Sequence, residues 1–293
     1  MPVPSTLDFA AAVELLTRQA EEPTFTTPSD TALALSHNRW QRARHLELLE
    51  SYVLSLLEGR IASPLIVSMP PRHGKSEFCS HWLPTWFLDQ YPERSILLSS
   101  YAADFASSWG RKVRRTLEEG RLRVRLQRDS RAADRWETAE GGGMVTSGVG
   151  GQGTGRGAHL FVIDDPVKNA EEASSATYRE RVWEWYQSVA TTRLEPGGKV
   201  ILVMSRWNED DLAGRIIVSG QPYTLLRLQA LAEDGDLLER EIGEALWPER
   251  YNEDALSDIK ATIGSYFWNA LYMGQPSSKE GGILKRHWWQ YWT

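Results

Sequence analysis

Short apolar runs alternate along this chain with longer stretches in which apolar residues return every three or four positions. Over residues 38–57, Leu46, Leu49, Val53, Leu56 and Leu57 fall on one helical face, and Gly59 closes the segment. Leu65-Ile66-Val67 opens a buried strand over 64–69. Helical patterning resumes over about 75–90 and 102–118, with a strand at Ser95–Ser100 between the two. Further strands fit about 143–147, 160–164, Lys199–Ser205 and Tyr223–Leu228. A helix over about 171–191 places Val182, Trp185 and Val189 on one face, another starts near Asn208, and 252–274 again reads as helical. Strands separated by helices require crossover connections, and therefore a largely parallel sheet in an α/β protein.

The remaining segments mark boundaries. Residues 1–36 mix weak helical stretches with the turn-rich Glu21-Glu22-Pro23 and Thr27-Pro28-Ser29-Asp30. Residues 141–157 hold nine glycines in seventeen, which excludes a helix and predicts a hairpin or mobile loop. Residues 276–282 break the pattern as a linker does. The expected organisation is an N-terminal helical lid segment (1–59), an α/β core (60–250), and C-terminal helices with a linker (251–293).

Composition narrows the class. A chain of 293 residues suffices for one large α/β domain or one domain with appendages. No apolar run approaches the roughly 20 residues of a membrane span, and the N-terminus lacks the basic and apolar regions of a secretory signal. The single cysteine, Cys79, excludes an internal disulfide framework and fits a reducing cytoplasm. Net charge is −6, yet residues 111–135 carry ten Arg or Lys against four acids, which predicts a basic face on an acidic body. The aromatic cluster Trp288, Trp289, Tyr291 and Trp292 predicts either a cut chain or a segment that packs on something outside it.

Candidate chemistry sits at two strand ends. Val67-Ser-Met-Pro-Pro-Arg-His-Gly-Lys-Ser76 reads as a strand emptying into a phosphate-binding loop. In such a loop main-chain N–H groups cradle phosphates, the lysine reaches them and the hydroxyl holds Mg²⁺. The general pattern wants a glycine five positions before Gly74, where Met69 stands. The second half of the site is Leu160-Phe-Val-Ile-Asp-Asp165, an apolar strand ending in two carboxylates, as a Walker B element requires. One carboxylate serves the metal and the next can act on the attacking water. The strands at 64–69, 95–100, about 143–147 and 160–164 leave room for a strand inserted between the two nucleotide strands. That is the additional-strand (ASCE/RecA-like) P-loop NTPase class, a three-layer sandwich around a mainly parallel sheet.

Six segments in this order resemble the large subunit of tailed-phage terminases. They are Met69–Ser76, Ser100–Ala106, Ile163–Ala173, Ser205–Arg215, Gly243–Tyr251 and Gly281–Arg286. The resemblance runs from about residue 38 to 292, and the family's loop looks like Pro-Pro-Arg-x-Gly-Lys-Ser, which accommodates Met69. It implies an ATPase that moves double-stranded DNA into a prohead, with ATP and Mg²⁺ as cofactors. Pro71, Arg72, His73, Gly74, Lys75, Ser76 and Glu77 would form the nucleotide loop. Within it Lys75 would contact the β- and γ-phosphates, Arg72 would sense the γ-phosphate, and Ser76 with Asp164 would hold the metal. Asp165 stands where the family commonly has glutamate; it is favoured as the catalytic carboxylate, with Glu171 and Glu172 as alternatives. Ser205 and Arg206 match the coupling motif, and Arg156 would be a finger presented to a neighbouring subunit. His45, Asn38 and Arg39 lie where the family contacts adenine.

The resemblance also implies a portal protein, a small terminase subunit and a pentameric ring as partners, in the host cytoplasm and without a membrane. A nuclease domain would follow the Gly281-Gly282 linker, so this chain is expected to hydrolyse ATP and not to cut DNA. The basic run and the glycine-rich loop are candidate DNA contacts. Three other readings stay open on the residues alone. A helicase-like translocase would need a second RecA-like half; a small-molecule kinase would transfer phosphate to an acceptor; a scaffold would be locked in one nucleotide state.

Overall fold

The computed structural model describes residues 25–119, 122–127, 132–151 and 157–277. Seven strands form one sheet: β1 (Leu65–Ser68), β2 (Ser95–Ser100), β3 (Arg135–Glu137), β4 (Gly143–Gly148), β5 (Ala158–Asp164), β6 (Leu194–Met204) and β7 (Thr224–Arg227). Their spatial order is β3-β4-β2-β5-β6-β1-β7, and every pairing is parallel except β3 with β4. The strand inserted between the two nucleotide strands is therefore β6, which follows β5 in the chain. β2 and β4 lie beyond β5 on its other side.

Alternation along each strand builds two cores. Leu65 and Val67, Leu160 and Val162, and Ile201 and Val203 face one helical layer. That layer comprises α1 (Pro28–Leu35), α2 (Arg44–Leu57), α3 (75–90) and α4 (Ala103–Glu119). Ile66, Phe161, Ile163, Val200 and Leu202 face the other side, covered by α6 (Ala176–Arg193) and α7 (Leu212–Val218). Period-two side-chain direction in strands thus makes the three-layer sandwich. A smaller core of Ala230, Ala245, Leu256, Trp268 and Met273 gathers around α8 (Glu253–Phe267).

Local chemistry moved several boundaries. Thr27-Pro28-Ser29-Asp30 is a helix start and not a turn. The Thr27 hydroxyl accepts from the Asp30 N–H at 3.2 Å, and Pro28 occupies the first turn, where its missing N–H costs nothing. α2 begins only at Arg44: His37 and Asn38 take left-handed φ values of 53° and 62°, and the N-cap Ala43 is still extended. α3 runs as Lys75–Glu77, a π turn at Phe78–Trp82, and Leu83–Gln90. The helix expected over 171–191 is two, α5 (Ala170–Ser174) and α6, with Ser175 capping the second through the Tyr178 N–H. Strand β4 falls inside the glycine-rich stretch. There a Cβ on Gly142 would lie 2.3 Å from the carbonyls of Pro92 and Arg94, so close backbone approach requires glycine.

Candidate active site

β1 ends at Ser68, and the chain turns through 69–74 into α3. Arg72 (φ 64°) and Gly74 (φ 88°) both adopt left-handed conformations, the backbone alternation from which anion-binding nests are made. Met69 is 1% exposed and belongs to the main core, so the position where the general motif places glycine is used here for packing. His73 also turns inward. Its ring is fully buried, Nδ1 donates to Pro71 O at 2.9 Å, and the ring stacks on Tyr251 at 5.2 Å. Any contact His73 makes with a ligand must come from its main chain.

His45 belongs to the same buried bracket and is itself fully buried. Its Nε2 donates to His73 O at 2.9 Å, and its ring lies 5.0 Å from Trp247. Arg39 lines a separate cleft of about 740 Å³ between the chain preceding α2, α3 and α4; Glu77 and Lys112 share it. Burial pushes both His45 and His73 down to about 4. In the unfolded chain these imidazoles take up protons near pH 6.5, so their contribution to stability is complete above that pH and is lost as pH falls toward 4. Asp164 works in the opposite sense, since its raised pKa favours the folded state on acidification. Burial lowers the pKa of His81 as well, so with three histidines against one carboxylate we expect a net loss of stability between pH 7 and pH 5. Urea unfolding at the two pH values checks this; a midpoint that does not fall would show that the histidines do not outweigh Asp164.

The chemistry converges at the ends of β1, β5 and β6. Lys75, 5% exposed, donates from Nζ to Ser205 Oγ at 2.9 Å and lies 3.9 Å from Asp165 Oδ2. Ser76 Oγ and Ser80 Oγ donate to the two oxygens of Asp164, each at 2.8 Å. Asp164 is fully buried; desolvation raises its pKa to about 7, the Asp165 charge adds to the rise, and the two hydroxyls and Lys75 oppose it. A buried carboxylate held so high is one that a divalent cation would ionise. Among the described residues no cluster of three or more His, Cys, Asp or Glu could hold a metal by itself. The all-oxygen pair Ser76 and Asp164 fits Mg²⁺, which keeps waters and substrate phosphates in its remaining positions.

Asp165 stands in the left-handed region at φ 44°. Its N–H donates to Val203 O at 2.8 Å, its carbonyl accepts from the Tyr101 N–H at 3.2 Å, and Oδ1 accepts from the Ser205 N–H at 2.9 Å. These contacts aim Oδ2 at the cleft and at Lys75. Glu171 and Glu172 sit on α5, outside the residues that line the cleft, and Glu172 is engaged by the Lys168 N–H at 2.8 Å. Ser205 sits at the junction of β6 with the cleft, whereas Arg206 is buried behind it. The Arg206 Nε donates to both oxygens of Asp211, at 3.0 and 2.8 Å, and Asp211 caps α7 through the Gly214 N–H. The helix expected to start near Asn208 therefore starts at Leu212, with Asp211 as its cap. The Asn208 side chain makes its own turn with the Asp210 N–H at 2.9 Å.

Around these groups opens a cleft of about 730 Å³ whose lining includes Arg72, Lys75, Asp165, Lys168, Ser205 and Arg250. Glu77 lines it too, but its carboxylate is tied to Lys112 at 2.5 Å and to His81 Nδ1 at 3.0 Å. The cations consequently outnumber the free carboxylates, a balance suited to a polyanion. Sequence reasoning missed Arg250, Lys168 and Ser80. It also missed the wall made by Tyr101, just before α4, and by Phe105 and Trp109 on it, although their four-residue spacing was legible. Arg156 lies outside the described residues, as do Arg121, Arg128 and Arg131 of the basic run. Much of the rest of that run is paired, as in Arg115–Glu119 at 3.1 Å, Arg123–Asp89 at 3.7 Å and Arg135–Glu137 at 3.4 Å.

Comparisons with known proteins address the chain as a whole. Among solved structures the ATPase domain of the Thermus phage P74-26 large terminase is similar, at 12% identity and a TM-score of 0.50, covering 86% of this chain and 99% of that one. A mutant of the same domain aligns at 11% identity and a TM-score of 0.51 over 85% and 99% of the two chains. The large terminase of a thermophilic bacteriophage, in complex with ATP-gamma-S, aligns at 13% identity and a TM-score of 0.44 over 75% of this chain. This chain spans about half, 51%, of the length of that thermophilic phage protein. No curated protein sequence matches. The profile of the family described as terminase large subunit, T4likevirus-type, N-terminal, matches residues 66–291, well over half of the chain. That match takes in the loop after β1 and both carboxylates at the end of β5, and by it the chain belongs to the terminase large subunit family.

Proposed function

We propose that this protein is the ATPase of a viral DNA-packaging motor, which hydrolyses ATP to move double-stranded DNA into a prohead. The observation that carries the reading is the set of side chains joined across three strand ends: Lys75 to Ser205 and Asp165, and Ser76 to Asp164. Pro71 to Glu77 receive the triphosphate, with Lys75 and Arg72 on its terminal phosphates. Ser76 and Asp164 hold Mg²⁺, which when bound neutralises charge on the phosphate oxygens. Asp165 Oδ2 accepts the proton of a water placed in line with the γ-phosphate. Ser205 and Arg206 carry the change to α7: as Lys75 turns to phosphate, Ser205 loses its partner, and the buried Arg206–Asp211 pair transmits any shift of β6 to that helix. Positioning and charge neutralisation supply the rate enhancement.

On this reading residues 1–59 form a lid segment, 60–250 the ATPase core, and 251–293 lead toward a nuclease domain. Family membership supports a DNA-packaging role with a portal protein, a small terminase subunit and a pentameric ring in the host cytoplasm. Arg156 is the proposed finger in trans. A motor must hold any sequence, so its DNA contacts should be to phosphates. The test is Mg²⁺-dependent ATP hydrolysis with and without duplex DNA. We expect stimulation that ignores sequence and fades as salt rises from about 50 to about 200 mM. Phosphate appearing on an acceptor instead of in solution would make the protein a kinase, and turnover indifferent to DNA would remove the translocase role.

A further inference from the structure

The chain that follows β7 returns to the phosphate loop through Trp247 to Tyr251. Trp247, 8% exposed, packs on His45, and Tyr251 stacks on His73 with 24° between the rings. The turn is closed by the Arg250 and Tyr251 N–H groups, which donate to Trp247 O at 3.0 and 2.8 Å. The Arg250 guanidinium thereby lies 5.2 Å from the Trp247 ring and 5.9 Å from the Tyr251 ring. It lines the cleft that also holds Arg72, Lys75, Asp165 and Ser205.

Arg179, Arg206, Arg215 and Arg240 each sit within 3.0 Å of a carboxylate. Among the described residues no carboxylate pairs with Arg250 or with Arg72. Aromatic faces orient a guanidinium and cover its stem without neutralising it. Two such groups lining one cleft leave it an excess of positive charge that an anion would offset, and a planar fork is built for phosphate oxygens.

We propose that Arg250 binds the terminal phosphate of the nucleoside triphosphate in cis, opposite Arg72. This rests on the ATPase reading and extends it to a residue outside the P-loop and Walker B segments. The segment carrying Arg250 is anchored to the small core around α8, through Leu246 N–H to Ala230 O and Ala230 N–H to Tyr272 O, each at 2.8 Å. A γ-phosphate held by both arginines adds a polar tie to the ring contacts that already hold this unit on the phosphate loop, and hydrolysis removes that tie.

The experiment compares binding of ADP and of ATP-gamma-S, with Mg²⁺, to wild type, Arg250→Ala and Arg250→Lys, followed by tryptophan fluorescence and by titration calorimetry. We expect Arg250→Ala to bind ADP within about twofold of wild type and ATP-gamma-S about 10- to 100-fold more weakly, the range of charge-assisted hydrogen bonds. Arg250→Lys keeps the charge and loses the fork, so it falls between the two. An unchanged ratio of the two affinities in Arg250→Ala overturns the inference while the ATPase reading stands. Equal weakening of ADP and ATP-gamma-S also overturns it, because Arg250 then only props the loop. A wild-type protein that binds neither nucleotide overturns the ATPase reading and this inference with it.

Discussion

Asp165→Asn protein should bind ATP and fail to turn it over. Asparagine tolerates the left-handed φ of 44° at this position, so the β5 terminus keeps its path. Its amide oxygen can still accept the Ser205 N–H that Oδ1 now takes at 2.9 Å. What disappears is the negative oxygen that faces the cleft 3.9 Å from Lys75 Nζ. Asp164, the other carboxylate at the end of β5, is fully buried and held by Ser76 and Ser80, so no carboxylate there faces the cleft to take a proton from the attacking water. We expect turnover to fall by about 10³-fold, within the range for loss of a general base. Binding of ATP should stay within about threefold of wild type, a small change set against tenfold per 1.4 kcal/mol. Removing the Asp165 charge also relieves Asp164, whose raised pKa it supports, so the proposed metal site is strengthened and not lost. Single-turnover and binding measurements on the same preparation separate the two effects. Retained hydrolysis would move the base to Glu171 or Glu172, against their positions on α5.

Lys75→Ala should lose both binding and turnover, and the contrast with Asp165→Asn is the informative part. Lys75 is the buried cation of the cleft, held by Ser205 Oγ at 2.9 Å and balanced by Asp165. Alanine leaves no buried donor unpaired, and both former partners reach water through the open cleft, so the fold should survive. The triphosphate, however, loses the ammonium that would meet its β- and γ-oxygens in a low-dielectric site. We expect turnover lower by about 10²–10³-fold, the usual cost of one preorganised donor to developing charge. Lys75 also opposes the upward shift of Asp164, so the variant should need more Mg²⁺ at a given pH. The measurement is steady-state hydrolysis against Mg²⁺ and ATP concentration. A variant that keeps wild-type turnover would place the chemistry somewhere other than this cleft.

Part of this site was readable before any fold was known, because its chemistry is local. The run Pro70-Pro71-Arg72-His73-Gly74-Lys75-Ser76 carries its own geometry, and the apolar run ending in Asp164-Asp165 can only be a strand with its carboxylates at the tip. Ser205 was legible for the same reason, as a hydroxyl at the end of an apolar strand. Ser80 was not. It reaches Asp164 from inside the π turn at Phe78–Trp82, whose register no periodicity in the sequence announces. The burial of the His45 and His73 rings was not legible either, because it depends on Trp247 and Tyr251, which return to the loop from far along the chain.

The basic run shows the same division. Composition located ten cations over 111–135 and suggested a positive face. Folding gave many of them carboxylate partners, some as distant in sequence as Glu77 and Asp89. Sequence periodicity by itself determined that β1 and β5 are buried strands, that helices connect them, and that a phosphate loop and two carboxylates stand at strand ends. Each of those features depends on neighbours within a few residues. Tertiary structure alone decided that β6 slides between the two nucleotide strands and that Asp165 meets Lys75 and Ser205. It alone brought Arg250 back to the loop from the far side of β7. Those juxtapositions come from the order of strands in the sheet, and that order is fixed by which buried faces fit together over the whole chain.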